Sequence, residues 1–265
     1  MARSYTIERT DHGRGGSSID YRAELNDQQF AAVTSMMGPA LVIAGAGSGK
    51  TRTLTYRVAY LLDNGIAAEN ILLLTFTNKA AREMLERVEE LVPHETRSIW
   101  GGTFHSIGNR LLRRHADKVG LGRSFTIMDR EDQKDLLAAT IASAGINTKE
   151  VRFPKPDVLG DIFSLADNTG VELCDVLESR YPYFAELHDA LAKVRKAYAA
   201  RKLETNNVDF DDLLTLAVKL LEDEPDIAEH YQNQFQFVLV DEYQDTNHIQ
   251  GRFIDLCAKK HGNLM

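Results

Sequence analysis

Residues 44–51, AGAGSGKT, restrict the fold of this chain more than any other stretch of its sequence. A phosphate-binding loop follows the pattern Gly, four residues, then Gly-Lys-Ser/Thr. Gly49, Lys50 and Thr51 complete that pattern, while Ala44 occupies the position of its first glycine. Backbone N–H groups bind phosphate best where a strand leads into the loop and a helix N-terminus lies behind it. The stretch therefore predicts a strand–loop–helix unit of an α/β fold.

The flanking segments and three later ones show the same strand-then-helix order. Residues 41–43 (Leu-Val-Ile) are predicted to form a strand buried on both faces, and a helix with an apolar stripe is predicted from Lys50 to a stop near Gly65. Further apolar strand candidates precede or follow helix-forming runs: ILLL at 71–74, SIWGG at 98–102 and FVLV at 237–240. Strands that alternate with helices indicate a parallel sheet.

Residues 116–207 have a different texture. Helix candidates separated by glycine and proline follow one another there, with few strand signals; they are DREDQKDLLAATIASAG, KPDVLGDIFSLADNTG and YFAELHDALAKVRKAYAARK. We therefore expect an all-α insert within the α/β domain.

Two acids, Asp241 and Glu242, directly follow the strand candidate at 237–240. An acid at the carboxyl end of a parallel strand is where a phosphate-loop enzyme holds Mg²⁺, and a neighbouring acid can orient or deprotonate the attacking water. We assign Asp241 to the metal, together with the hydroxyl of Thr51, and Glu242 to the water. The alternative is an acidic turn that caps the next helix, which suits Asp245 and Thr246 better than the acid pair.

Several motifs in sequence order resemble those of the UvrD/Rep-type superfamily 1 DNA helicases. The family's loop begins with Ala, as AGAGSGKT does here, and its acidic motif matches DEYQDTN. The family's Q-motif resembles LNDQQ, which makes Gln29 the residue that would read adenine through its amide. Two motifs on the DNA side resemble TFTNKAAREM (75–84) and GTFHS (102–106), and DFDDLL (209–214) matches the return from the insert.

The resemblance covers residues 25–265 and implies a RecA-like P-loop NTPase sheet flanked by helices, with an inserted all-α subdomain. It implies a leader at 1–21, an incomplete RecA-like ATP-binding domain at 22–115 and 208–265, and the helical insert at 116–207. ATP and Mg²⁺ are the implied cofactors, with Lys50, Asp241 and Glu242 catalytic. The implied nucleotide contacts are Gln29, Ala44, Gly45, Ala46, Gly47, Ser48, Gly49, Lys50, Thr51 and Arg52.

The implied contacts to single-stranded DNA are Thr75, Phe76, Thr77, Asn78, Thr103, Phe104 and His105. Hydroxyl and amide groups bond phosphate oxygens, and an aromatic ring at a strand end can stack on an unpaired base. Residue types alone favour a core position for Phe76. For Phe104 a core position and for His105 a packing or capping role are alternatives to DNA contact, and for Arg52 a solvated helix position is equally plausible.

The resemblance implies an ATP-dependent helicase that moves 3′ to 5′ on single-stranded DNA and acts at duplex junctions. A second RecA-like domain, which supplies arginines to the nucleotide, is not in this sequence, so we expect this chain alone to bind ATP and DNA weakly without unwinding. An ATP-binding repair scaffold is the alternative, and the acid pair disfavours it. A small-molecule kinase or a GTPase is a further alternative, but Asn78-Lys79 lacks the acid of a guanine-binding motif.

Composition adds limits. The net charge is −8 and the pI about 5.5, so nucleic-acid binding has to come from local patches, with RLLRRHADKVGLGR and KVRKAYAARK as candidates, although each also fits a solvated helix face. Two separated cysteines give no zinc pattern and suit a reducing compartment. The polar start reads as a leader without a secretory signal, and the longest apolar runs are too short for a bilayer, so we expect a cytoplasmic protein without membrane contact.

Overall fold

A computed structural model describes residues 19–35, 37–45, 47–93, 96–146 and 152–265. The predicted leader at 1–21 and the predicted nucleotide contact Ala46 therefore lie wholly or mostly outside the described residues. The helices are α1 (Tyr21–Glu24), α2 (Asp27–Thr34), α3 (Lys50–Asp63), α4 (Asn78–Leu91), α5 (Phe104–Arg114), α6 (Arg130–Ser143), α7 (Pro156–Thr169), α8 (Leu173–Arg180), α9 (His188–Glu204), α10 (Asp212–Asp223), α11 (Pro225–Gln234) and α12 (His248–Ala258). The strands are β1 (Ile71–Thr75), β2 (Trp100–Thr103), β3 (Thr126–Ile127), β4 (Asn207–Val208) and β5 (Phe237–Val240).

Three strands form a parallel sheet in the order β2–β1–β5. Every residue of β1 and β5 is buried, as their continuous apolar sequences predict for strands covered on both faces. Leu72 and Leu74 pack into one core, and Ile71 and Leu73 into another on the opposite face. The predicted parallel α/β sheet is confirmed, as are the strand predictions at 71–74 and 237–240.

Helices cover both faces of the sheet. The apolar stripe of α3 packs with α4 against one face, and α5, α10 and α12 pack against the other. Helices α5 and α10 approach closely at Gly108, where an added Cβ would lie 2.2 Å from the carbonyl oxygen of Leu213. Gly251 of α12, by contrast, has open space beside it. One helix face thus requires glycine and the other does not.

The prediction of a buried strand at residues 41–43 is wrong. This segment is not in a ladder, and Leu41 and Ile43 are 76% and 87% exposed. Residues 263–265 lie between it and β5: Val238 is bridged to Leu264, and Leu264 accepts a hydrogen bond from the amide of Ala40 (2.8 Å). Among the described residues, that bond is the one backbone hydrogen bond between this region and residues 263–265.

The helices α6 to α9 share a hydrophobic core of their own, which includes Leu137, Leu159, Leu177 and Leu191. The expected all-α insert is therefore present, although sequence analysis missed α8. It also missed the two-residue pair β3–β4, in which Ile127 lies opposite Val208. The domain limits at 116 and 207 stay a prediction; the second passes through β4. In the part of the chain described, no helix is both long and apolar enough to cross a membrane.

Candidate functional site

The phosphate-loop sequence forms a turn that leads into the N-terminus of α3. Gly47 and Gly49 have φ values of +76° and +86°, which residues other than glycine adopt only at a cost in free energy. The hydroxyl of Ser48 donates to the carbonyl oxygen of Gly45 (2.6 Å) and closes the turn. The first N–H groups of a helix have no partner within the helix, so the start of α3 at Lys50 can accept an anion from the loop side.

Lys50 and the acid pair meet in one cavity of about 810 Å³, although more than half of the chain separates them in sequence. The Nζ of Lys50 lies 3.7 Å from the Oε2 of Glu242 and donates to the carbonyl oxygen of Ala44 (3.2 Å). Asp241 and Glu242 line the same cavity. A triphosphate bound in this cavity could contact the ammonium group of Lys50 on one side and the carboxylates of Asp241 and Glu242 on the other.

Asp241 is fixed by the sheet and Glu242 by a strained turn. The amide of Asp241 donates to Leu74 of the neighbouring strand (2.9 Å). Glu242 has φ of +53°, a left-handed conformation that is uncommon for residues other than glycine and typical of functional sites. Its Oε2 also accepts a hydrogen bond from the side chain of Gln244. Burial raises the pKa of Asp241, the charge of Glu242 raises it further, and the charge of Lys50 opposes both.

The oxygen atoms of the described residues suit a magnesium ion whose other ligands are phosphate and water oxygens. Among them, no group of three or more His, Cys, Asp or Glu side chains is arranged to hold a metal by itself. Mg²⁺ commonly binds through one or two protein oxygens, substrate phosphates and water. The half-buried carboxylate of Asp241 and the hydroxyl of Thr51, the second residue of α3, are such oxygens.

Two predicted nucleotide contacts, Gln29 and Arg52, have different hydrogen-bond partners. Gln29 is half-buried beside the loop: its Nε2 donates to the carbonyl oxygen of Ser48 (3.2 Å), and its Oε1 accepts from the amide of Asn26 in a capping box. Arg52 instead turns to α1, where its Nη2 lies 2.7 Å from a carboxylate oxygen of Glu24. Gln29 is thus placed beside the nucleotide loop, and Arg52 is placed in an ion pair next to it.

The predicted DNA contacts follow β1 and β2, at the same sheet edge as the acid pair. Thr77 and Thr103 are N-caps of α4 and α5, and their hydroxyls accept hydrogen bonds from backbone amides. Asn78 is exposed, and Phe76 is half-buried. Two others, Thr75 and Phe104, are each 1% exposed. Burial leaves these two no surface for DNA, so their side chains support the segment rather than face a ligand.

Two aromatic contacts line this edge. Phe76 packs on Phe104 with ring centroids 5.6 Å apart, and His105 stacks on Phe210 at 4.0 Å and 24°. Phe210 is 58% exposed, and sequence analysis assigned it no role. A phenylalanine between the acids of DFDDLL (209–214) was the sequence signal for this residue, because polar neighbours are unusual for a core position. Burial lowers the pKa of His105 below its usual value, and the charge of Asp211 opposes that shift.

Most cations of the two basic runs have partners within the protein. Arg113 donates to the carbonyl oxygens of Arg123 and Phe125 and lies over the Phe125 ring. The other engaged cations pair with acids or carbonyls or lie on an aromatic ring: Arg110 and Arg114 on Trp100, Lys118 with Glu224, Lys193 with Ala144, Arg195 with Asp167, and Lys202 with Asp209 and Asp212. Most cations of both runs are thus paired within the protein rather than free for a phosphate backbone.

Comparisons with known proteins agree on one family. The family model for the UvrD/REP helicase N-terminal domain matches residues 25–265. The ATP-dependent DNA helicase PcrA of Staphylococcus epidermidis (strain RP62A) is 43% identical over 241 residues, and PcrA of Staphylococcus aureus (strain Mu50) is 42% identical over the same length. Each alignment covers 91% of this chain but 32% of the relative. The chain thus spans about a third of the length of the curated relatives it matches.

Proposed function

Because the chain belongs to the UvrD/REP helicase family, we propose that it is the ATP-binding portion of an ATP-dependent DNA helicase. The whole protein moves 3′ to 5′ along single-stranded DNA and separates strands at duplex junctions. This chain supplies the nucleotide loop, the acid pair and one DNA-facing edge. It binds ATP and single-stranded DNA weakly and does not unwind by itself, because translocation needs two domains that close on each other. The protein acts in the cytoplasm.

The observation that carries the proposal is the convergence of Lys50 with Asp241 and Glu242 in one cavity. The ammonium group of Lys50 binds the β- and γ-phosphates, and Gln29 orients the base. Glu242 positions the attacking water and accepts its proton. Thr51 and Asp241 would hold Mg²⁺, which would neutralise charge on the phosphates.

The DNA-facing edge is proposed from the side chains that are accessible there. Thr77 and Asn78, with Thr103, bond the sugar–phosphate backbone, while Phe76 and the His105–Phe210 stack offer rings to unpaired bases. A repair scaffold that binds ATP without hydrolysing it is less well supported. It has no need of a strained carboxylate facing the lysine of the loop.

Binding of a fluorescent ATP analogue with Mg²⁺ to the 265-residue chain tests the nucleotide site. Lys50→Ala should weaken binding at least about tenfold, since a charge-assisted contact to phosphate is lost. Lys219→Ala removes an exposed lysine of α10 and should leave affinity unchanged. Equal affinity in the wild type and Lys50→Ala would contradict the proposal.

Fluorescence anisotropy with a labelled oligothymidylate tests the DNA edge. Phe210→Ala should raise the Kd about fivefold or more, because stacking of one base on an aromatic ring contributes about 1–3 kcal/mol. Tyr183→Ala is the control, since Tyr183 is an 88% exposed aromatic residue of the helical insert. A Kd raised equally by both variants, or by neither, would argue against this edge.

A further inference from the structure

Asn168, near the end of α7 in the helical insert, connects two segments of the α/β domain through its side-chain amide. Its Nδ2 donates to the Oδ1 of Asp211 (2.8 Å), and its Oδ1 accepts from the Nδ2 of Asn247 (2.8 Å). The Nδ2 also donates to the carbonyl oxygen of Ser164 (2.9 Å). Both amide hydrogens and the oxygen are therefore used, and the half-buried side chain has a defined orientation.

On one side the amide contacts the segment that carries the acid pair. Asn247 ends the stretch that begins with Asp241 and Glu242, and it is the N-cap of α12. Its Oδ1 accepts from the amide of Gln250, whose side chain in turn accepts from the amide of Asn247. This capping box ties Asn247 to α12, so Asn168 is hydrogen-bonded to the junction between the acidic segment and α12.

On the other side the amide contacts the segment that carries the exposed aromatic ring. Asp211 directly follows Phe210, which stacks on His105, and it precedes α10. Its carboxylate is close enough to His105 to raise the pKa of that ring against the effect of burial. The hydrogen bond from Asn168 thus holds the backbone next to the ring that we assign to DNA.

Close packing keeps the end of α7 against the start of α12. Gly170 follows α7 with φ of +66°, and an added Cβ there would lie 2.5 Å from the Nδ1 of His248, the first residue of α12. The backbone conformation of Gly170 favours glycine, and the side chain of His248 lies directly beside it, so the two helix ends are in contact. Asn168, two residues earlier, is therefore held by packing as well as by its hydrogen bonds.

We propose that Asn168 is a positioning residue that couples the nucleotide site to the DNA-facing aromatic edge through Asn247 and Asp211. This inference rests on the proposed function. A bound triphosphate takes over Lys50 and releases Glu242 from the resting contact, and the acidic turn that ends at Asn247 then shifts. The amide of Asn168 transmits that shift to Asp211 and changes the position of Phe210. Coupling between two ligands is reciprocal, so DNA must change nucleotide affinity by the same factor.

The test measures that factor in the 265-residue chain, which contains every atom of the connection. The Kd for a labelled oligothymidylate is determined with and without the Mg²⁺ complex of a non-hydrolysable ATP analogue. We expect the two Kd values to differ at least about fivefold in the wild type and less than about twofold in Asn168→Ala and Asn168→Asp. The Kd of the analogue alone should stay within about twofold of wild type in both variants, because Asn168 touches neither ligand.

A paired exchange separates the hydrogen bond from general packing. In the double variant Asn168→Asp with Asp211→Asn, donor and acceptor change ends, so the bond between positions 168 and 211 forms again and the coupling should return. Asn64→Ala is the matched control: Asn64 also ends a helix and donates to the carbonyl four residues before it (2.7 Å), as Asn168 does to Ser164. It should retain wild-type coupling.

The outcomes are distinguishable. Wild-type coupling in Asn168→Ala, with both ligands bound, would overturn the role of Asn168 and leave the proposed function intact. Loss of coupling without recovery in the double variant would also overturn it, since packing alone would then explain the loss. A wild-type chain that binds neither ligand would overturn both proposals.

Discussion

Glu242 combines three features that rarely occur together in one residue. It has a left-handed backbone, it faces the loop lysine at 3.7 Å, and it directly follows a carboxyl group whose pKa is raised. Left-handed backbone at such a residue costs of the order of 1–3 kcal/mol and persists where the surroundings hold it. A chain that only needed a turn here would be more stable with glycine or asparagine, which suggests that the carboxylate itself is required.

Glu242→Gln should separate binding from hydrolysis. The amide keeps the shape of the side chain but accepts no proton, so we expect single-turnover ATP hydrolysis to fall at least about 100-fold, as for loss of a general base. Nucleotide affinity should stay equal or rise, because Lys50 loses a competing carboxylate.

Rapid-quench measurements with the protein in excess over ATP would detect even slow hydrolysis. Asp255→Asn, which neutralises an exposed acid of α12, is the control and should hydrolyse at the wild-type rate. Unchanged hydrolysis in Glu242→Gln would mean that another group handles the water.

At the residue scale, sequence motifs identified the groups whose chemistry is specific, and failed where the outcome depended on packing. A lysine after a glycine-rich loop and acids after an apolar strand have few other uses, so Lys50 and Asp241 could be paired in advance. Whether Phe104 or Phe210 faces solvent depends on how α5 meets α10, which no local pattern records. The ion pair of Arg52 with Glu24, 2.7 Å apart, depends on how α1 packs beside α3, and its role at the nucleotide stays a prediction.

Among the elements, the contact between α5 and α10 shows most clearly how the helices fix one another. Gly108 lies where the backbone of Leu213 passes within the volume of a methyl group. The α10 helix starts just after DFDDLL begins, so this contact sets the height of α10 and of Phe210 relative to the sheet. Small residues allow such an approach, whereas a larger one forces two backbones apart.

Two helix glycines should therefore respond in opposite ways to alanine. Gly108→Ala should lower the free energy of unfolding by about 2 kcal/mol or more, because the new methyl group meets a backbone oxygen that cannot move alone. Gly251→Ala should raise it by about 0.5–1 kcal/mol, since a helix interior favours alanine and nothing lies within 4 Å of the added atom.

Thermal or urea unfolding of the 265-residue chain measures both variants. Equal changes in the same direction would show that the close approach of α5 and α10 has no energetic weight.

Most elements were predictable because the spacing of their apolar residues and the length of the apolar segment indicated the same type of element, as they do for α4 and β1. The exceptions have a common cause: their structure depends on partners distant in sequence. Residues 41–43 have the composition of a buried strand, yet they lie next to residues 263–265, which offer one hydrogen bond at Ala40. The strands β3 and β4 have two residues each and pair segments on either side of the insert. Two residues are too few to show an alternation of apolar and polar side chains, so the sequence did not predict them.

At the scale of the whole molecule, the net charge is negative and most cations of the two basic runs have partners within the chain. The net charge is −8, and seven cations of the two basic runs are engaged within the chain. Lys202, for example, is buried with its Nζ 2.6 Å from both Asp209 and Asp212. The DNA binding that we propose for this chain should therefore rest on rings, hydroxyls and amides more than on these two basic runs.

The salt dependence of oligothymidylate binding should consequently be shallow. Each phosphate neutralised on a single strand contributes about −0.7 to the slope of log K against log salt, and we expect a total no steeper than about −2. Titrations between about 50 and 200 mM salt measure it. A slope steeper than about −4 would mean that the basic runs give up their internal partners and follow the DNA backbone.

The contact between Lys50 and Glu242 has one more consequence for the proposed hydrolysis. The carboxylate that we propose as the base lies 3.7 Å from the ammonium group of Lys50 and accepts a hydrogen bond from the side-chain amide of Gln244. A triphosphate that binds Lys50 would compete with this carboxylate for the same ammonium group. Binding of the substrate and release of the base would then be one event.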